Sequence, residues 1–311
     1  MDMPCCTMAF DEKSPVHVSG FTKFTMDTAP MVKGFLNRYP SLSCEYNFVT
    51  LFCWAKAYQY SWFTYKGRFF IFDGVDNLIF MPLGPAIAPE DLKQISAHFA
   101  GIGLGPDICL ATKAYLDAYP QIKHFYTISQ DRDAAEYLYL AQSLAELKGS
   151  KLHKKRNLIS QFKRRFPDFT LGALTADNIF DVKAFAKDLL HTLDPFPRAL
   201  ADEFSAMETA FDHWSFLGLE GLVLAVEGKI AAFSVFSPLN KDTYNIHFEK
   251  SNMAFKGAAQ VINQETARLL AEKTKYINRE QDLGIPGLRQ AKLSYAPCTL
   301  LTPYILRFKK D

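Results

Sequence analysis

The sequence predicts an α+β protein of two units, residues 1–147 and 148–311, each a mixed, mostly antiparallel sheet flanked by helices. Three observations predict it. Both halves alternate short strand patterns with helical runs, so each holds the material for a sheet and its covering layer. At 311 residues and 49% hydrophobic side chains, 27 of them Phe, the chain can fill two domain-sized cores. Residues 244–295 then read as strand, loop, helix, strand after an antiparallel hairpin, which adds a parallel strand to a meander.

In TYNIHFEK, residues 243–250, Tyr244, Ile246 and Phe248 alternate with Asn245, His247 and Glu249, the period of a half-buried strand. Gly257 suits a tight turn or a close backbone approach to a ligand. Ala259, Ile262, Thr266, Leu269 and Leu270 recur at helical spacing, with Glu265, Arg268 and Glu272 opposite. Tyr276 to Asn278 is a second short strand, expected parallel to the first through a right-handed crossover. Ligands of such units sit beyond the carboxyl ends of the strands. There the polar residues gather: Glu249 and Lys250 after the first strand, Arg279, Glu280 and Asp282 after the second, then Arg289 and Lys292. Two readings stay open from pattern alone, a site for a charged substrate and a solvated rim of ion pairs.

Earlier in the chain, residues 28–40 form a short helix stopped by Pro40. The aromatic-rich stretch 41–67 has one acid, Glu45, close to serines that can cap a helix. RFFIF and NLIFMPLG pair about Asp73-Gly74. Pro89 and Glu90 open a helix that runs to about Ala100. Gly101, Gly103 and Gly105 are spaced like part of a dinucleotide fingerprint, but no strand precedes them, and the match is set aside. A helix near Thr112–Tyr119 and a strand at His124–Ser129 complete the first half. Asp133 to Leu147 is helical in period through Tyr137, Leu140, Leu144 and Leu147.

Between Lys148 and Arg165, eight residues are Lys or Arg and none is acidic. In a chain of net charge +2 this concentration suits an anion: a cofactor pyrophosphate, tRNA phosphates or an anionic lipid headgroup. The plainer reading is a solvated helix face. Helices over Asp177–His191 and Leu200–Trp214, then a hairpin turned at Glu227-Gly228, lead into the strand at 243–250. Near-neutral charge excludes a surface coated in positive charge for nucleic acid. Six cysteines form no CxxC pair and no ligand rhythm with the seven histidines, so no metal is expected and reduced thiols are. MDMPCCTMAF lacks the features of a signal peptide, and no apolar run reaches the roughly 18 to 20 residues that cross a bilayer. A cytoplasmic location is expected, with peripheral contact at the inner membrane face as an option.

From residue 169 the order of elements resembles the GCN5-related N-acetyltransferase (GNAT) fold, an acyl-CoA N-acyltransferase architecture. That resemblance implies a loop whose backbone N–H groups cradle a pyrophosphate, framed here by Ala254, Gly257 and Ala259. The segments AEYLYLAQSLAELKGSKLHKKRN (135–157), KIAAFSVF (229–236), YNIHFEK (244–250), AAQVINQETA (258–267) and YINREQDLGIPGLRQAKLSYAP (276–297) resemble the phosphatidylglycerol lysyltransferase C-terminal domain family. The resemblance covers most of the chain from about residue 27. It implies two tandem GNAT-like domains, the first degenerate, and transfer of an aminoacyl group from aminoacyl-tRNA to a lipid headgroup.

Such transfer needs a base, donors for a developing oxyanion, and reactants held in line. The catalytic candidates are Glu249, Arg279, Glu280 and Asp282, with Glu280 or Glu249 as base and Arg279 as a bidentate partner for carboxylate or phosphate. Lys154, Lys155 and Arg156 would guide an anionic donor, and the backbone at Lys256, Gly257 and Ala258 would meet a phosphate or oxyanion. Lys250, Asn263, Asn278, Arg289 and Lys292 complete the substrate-binding set. Structural roles compete for Asn263, His247 and Tyr295, and an internal ion-pair network competes for Arg279, Glu280 and Asp282. Three functions follow: an aminoacyl or acyl transferase fed by aminoacyl-tRNA, an acetyl-CoA-dependent N-acetyltransferase, and a non-catalytic lipid- or peptide-binding protein.

Overall fold

The computed structural model describes residues 21–191 and 198–309. Up to residue 130 these form β1 (Thr22–Lys23), α1 (Ala29–Arg38), α2 (Phe48–Tyr58), β2 (Ser61–Tyr65), β3 (Arg68–Asp73), β4 (Leu78–Phe80), α3 (Pro89–Gly101), β5 (Ile108–Ala111), α4 (Lys113–Ala118) and β6 (Tyr126–Gln130). Next come β7 (Glu136–Leu140), α5 (Ala141–Glu146), α6 (His153–Arg165), β8 (Thr170–Ala173), α7 (Ile179–His191), α8 (Arg198–Asp212), α9 (Trp214–Leu217) and β9 (Glu220–Val226). The chain continues through β10 (Lys229–Asn240), β11 (Thr243–Ser251), α10 (Ala258–Ala271), β12 (Tyr276–Gln281), α11 (Pro286–Leu293), β13 (Thr299–Leu301) and β14 (Tyr304–Phe308). No helix among the described residues is long and apolar enough to cross a membrane.

Two compact units result, but they do not follow a 147/148 division. Among the described residues, one takes 21–35, Tyr58–Gln130 and 303–309; the other takes Leu36–Ala57, 131–191 and 198–302. Strand pairing sets this interleaving, because β13 joins β7 while β14 lies between β5 and β6.

In the first unit the strand order is β1-β2-β3-β4-β5-β14-β6. Only β4 and β5 pair in parallel; the rest are antiparallel. Its core is aromatic, with Phe63 stacked on Phe70 and both Phe63 and Phe72 against Phe99 of α3. Pro89 opens α3 with Glu90 and Asp91 in the first turn, where carboxylates favour the helix dipole. The glycine-rich loop serves packing, since a Cβ on Gly105 would lie 1.7 Å from the Asn77 carbonyl oxygen.

In the second unit the order is β13-β7-β12-β11-β10-β9-β8, and only β11 and β12 are parallel. The helix expected over Asp133–Leu147 is divided: Glu136–Leu140 is strand β7, and only Ala141–Glu146 is helical. β7 lies between β12 and β13, and Tyr137 and Tyr139 are buried. Two ladders of backbone hydrogen bonds and two buried rings outweigh a local 3.6-residue spacing. α10 covers the sheet with Val261, Ile262, Ala267 and Leu270, packed in one cluster with Leu224, Phe236 and Ile246. Full burial of each large aliphatic contributes about 1.5–3 kcal/mol.

Gly257 caps α10 at φ 98°, and a Cβ there would meet the Leu158 carbonyl oxygen at 2.7 Å and Phe162 Cβ at 2.9 Å on α6. The close approach that this glycine permits is to α6. Gly257→Ala is therefore expected to lose about 2–4 kcal/mol in urea denaturation, combining left-handed strain with a backbone clash. A loss below about 0.5 kcal/mol, the ordinary surface range, would refute the packing role.

Candidate functional site

β11 and β12 hold register only over Thr243↔Tyr276, Tyr244↔Ile277 and Asn245↔Asn278. Beyond it both strands continue without pairing each other, to Ser251 and Gln281. Two irregularities then decide which way the side chains face. On β11, Ile246 opposes Phe236 and Phe248 opposes Val235, so His247 is an extra, bulged residue. The bulge reverses the alternation, and Glu249 reaches Asn263 on α10 instead of sharing a face with Asn245 and His247. On β12, pairing to β7 skips from Asn278 to Gln281, and Glu280 has φ 56°. Adjacent Arg279 and Glu280 consequently meet different partners.

On the α10 side, Arg279 Nη2 donates to Glu249 Oε1 at 2.8 Å and Asn263 Nδ2 donates to Glu249 Oε2 at 3.2 Å. The guanidinium also lies 5.1 Å from the Tyr295 ring and 5.9 Å from that of Tyr139. Lys155 Nζ sits 4.2 Å from the Tyr295 ring centre. Burial, then the Arg279 charge, pull the Lys155 ammonium below its usual range. Two cations thus accompany one carboxylate between tyrosine walls. Arg279 Nη1 and Asn263 Oδ1 are buried without a hydrogen-bond partner. Each such orphan costs roughly 1–3 kcal/mol, a cost a bound ligand would remove.

On the other side, Glu280 Oε1 accepts from Asn245 Nδ2 at 2.8 Å and lies 3.5 Å from His247 Nδ1. His247 Nε2 is 2.8 Å from Ser237 Oγ. Glu136, on β7, is 2% exposed and takes hydrogen bonds from Ser43 Oγ at 2.5 Å, Cys44 N at 2.8 Å and Asn278 Nδ2 at 2.5 Å. Burial pushes its carboxyl up, and those donors offset part of the rise. Asn278 is thus committed to Glu136. Neither Glu136 nor Tyr139 carries a sequence signal, because both lie in the stretch whose spacing reads as helix.

Several other candidates are held in structural contacts. Asp282 is fully buried and accepts from Arg132 Nη1 at 2.9 Å, Arg289 Nε at 3.0 Å and Nη2 at 2.8 Å, Gly284 N at 2.9 Å, and Tyr137 Oη. Burial pushes its carboxyl up, but Arg289, Tyr137, the Gly284 N–H and Arg132 together hold it well below the usual range. Arg289 also binds Asp133 at 2.6 Å, so the pair anchors the approach to α11. Lys292 donates to the carbonyl oxygens of Arg279, at 2.7 Å, and Gln281, bracing the bend at Glu280. Burial brings its ammonium down to about 8. Arg156 donates to the carbonyls of Leu147 and Gly149, closing the turn before α6. Lys250 pairs with Glu203 at 2.7 Å, Lys154 and Lys256 are exposed, and Gly257 and Ala258 are buried.

Among solved structures, a conserved protein of unknown function from Bacteroides thetaiotaomicron matches with TM-score 0.84 and 29% identity, covering 93% of this chain and 99% of that one. The C-terminal domain of a candidate lysylphosphatidylglycerol synthetase from Agrobacterium fabrum matches with TM-score 0.63 and 15% identity over 91% and 92% of the two chains. FemX matches with TM-score 0.53 and 9% identity over 93% and 95%. These last two likenesses are of fold. No curated protein matches the chain. Each unit of this chain is a mixed sheet flanked by helices with one parallel pair of strands. The model of the family described as phosphatidylglycerol lysyltransferase, C-terminal, matches residues 36–307, and the chain belongs to that family.

Proposed function

We propose that the protein transfers an acyl or aminoacyl group, that the donor is an aminoacyl-tRNA, and that the reacting groups meet where β11 and β12 part. One observation carries the reading: Arg279 Nη1 and Asn263 Oδ1 are buried and unpartnered around the Glu249–Arg279 pair. Arg279 Nη1 can donate to the donor's carbonyl oxygen as negative charge develops there. Asn263 Oδ1 can accept from a donor amino group. Glu280, half-buried on the acceptor side, takes the nucleophile's proton. Lys155 draws in the anionic donor. A lipid headgroup as acceptor agrees with the family's name.

Coenzyme A fits the chain poorly. At the start of α10, where backbone N–H groups would cradle a pyrophosphate, Gly257 faces the Leu158 carbonyl oxygen and Phe255 packs on Phe166. An acceptor oxygen and apolar rings stand where phosphate oxygens need donors.

The test is deacylation of charged tRNA by the purified protein in the presence of a headgroup amine or alcohol. Lys155→Ala is expected to slow it about tenfold, within the range of electrostatic steering. Arg156→Ala should lower stability and leave the rate per folded molecule unchanged. No deacylation by the wild-type chain, across a panel of charged tRNAs, would sink the proposal. Acetyl-CoA should not raise the melting temperature, whereas a ligand at a hundredfold excess over Kd adds about 2.7 kcal/mol.

A further inference from the structure

The sheet carries a second polar cluster, opposite in charge to the first. Glu280 Oε1 is taken by Asn245, but among the described residues nothing donates to Oε2. Gln281 Nε2 binds Glu45 Oε1 at 2.7 Å and lies 3.2 Å from Cys44 Sγ, which joins Glu45 to the same neighbourhood. Burial, then the fields of Glu136, Glu280 and Glu45, push the Cys44 thiol well up. Lys292 feels the charge of Glu280, but its ammonium is spent on the carbonyls of Arg279 and Gln281. Among the described residues neither Glu280 nor Glu136 is ion-paired with a Lys or Arg, which leaves this side negative.

A second observation gives that charge a direction. Asn245 is fully buried, its Nδ2 binds Glu280 and His247, and its Oδ1 has no hydrogen-bond partner. An open carboxylate oxygen and an orphaned amide oxygen therefore stand on adjacent side chains, both acceptors, in a negative field. A hydroxyl could satisfy only one of them, because it has one hydrogen to give. An ammonium group has three and brings the charge the field lacks.

We infer that the Glu280–Asn245 side of the sheet is a binding pocket for a primary ammonium group, the acceptor of the transfer reaction. The acceptor role rests on the proposed function; the binding does not. Glu280 takes one proton from the bound ammonium. The free amine nitrogen attacks the carbonyl carbon of the aminoacyl ester, a C–N bond forms and the ester C–O bond breaks. The nitrogen's second proton leaves with the ribose oxygen, and Glu280 returns its own proton to solvent. The product is an amide.

The test needs no donor, so it stands apart from the transfer assay. Melting temperature is followed against n-butylammonium chloride, with sodium chloride at equal ionic strength and 1-butanol as controls. A saturable rise with butylammonium alone is expected, lost in Glu280→Gln and kept in Lys155→Met on the other side of the sheet. No saturable rise in the wild-type chain overturns the inference, and that arm needs no variant to fold. A rise that survives Glu280→Gln also overturns it. Vesicles identify the source: cosedimentation with ethanolamine but not choline headgroups assigns a lipid amine, and a butylammonium response without cosedimentation assigns a soluble amine. Either result supports the pocket. A chain that binds butylammonium but does not deacylate tRNA refutes the proposed function alone.

Discussion

Arg279→Met is expected to lower transfer at least a hundredfold, the loss seen when one preorganised oxyanion donor is removed. Arg279 Nη1 is the unpartnered donor on the α10 side, and Nη2 fixes Glu249 at 2.8 Å. Removing the guanidinium also strands Glu249, whose remaining hydrogen bond comes from Asn263 at 3.2 Å. Breaking such a partly buried pair costs about 3–5 kcal/mol when one charge is left behind. Two effects therefore overlap, and a second substitution separates them. Arg279→Met with Glu249→Leu should recover most of the stability, because no lone charge remains, and should recover none of the activity. If the double variant regains both, Arg279 acts by holding the fold and the catalytic assignment is wrong.

Asp282→Ala is expected to destabilise the chain by about 1–3 kcal/mol in urea denaturation at neutral pH, since it leaves the buried Tyr137 hydroxyl without its acceptor and unpairs Arg132 and Arg289. The pH dependence is directional. Asp282 is held well below the ordinary carboxylate value, so the unfolded chain takes up its proton first as pH falls. Its contribution is complete above the unfolded pKa of about 3.9 and drains away below it. Wild-type stability should fall more steeply than that of the variant below about pH 4. Parallel curves through that window would show that Asp282 is not the buried anchor its contacts indicate.

Much of the unit around the site is legible from spacing alone. The alternation of 243–250, the apolar stripe of 258–271 and the turn at Glu227-Gly228 are local patterns, and each formed the element expected. The parallel relation of β11 and β12 followed, because a helix of fourteen residues between them is long enough for a crossover. The gathering of charge at 249–250 and 279–282 was also visible, since it needs only the strand ends to be known. Glu136 was not, because its partners Ser43 and Asn278 lie 93 and 142 residues away.

The sequence by itself determined which elements form and which residues stand at their ends, because backbone periodicity and burial are set over a few neighbouring side chains. Only the tertiary structure decided which of those residues share a site. A bulge at His247 and a left-handed backbone at Glu280 turned Glu249 to Arg279 and Glu280 to Asn245. Both irregularities arise from pairing with β10 and β7, strands that no local pattern at 247 or 280 encodes. The same pairing made a strand of Glu136–Leu140, and the fold gave Asp282 and Lys292 partners within the chain.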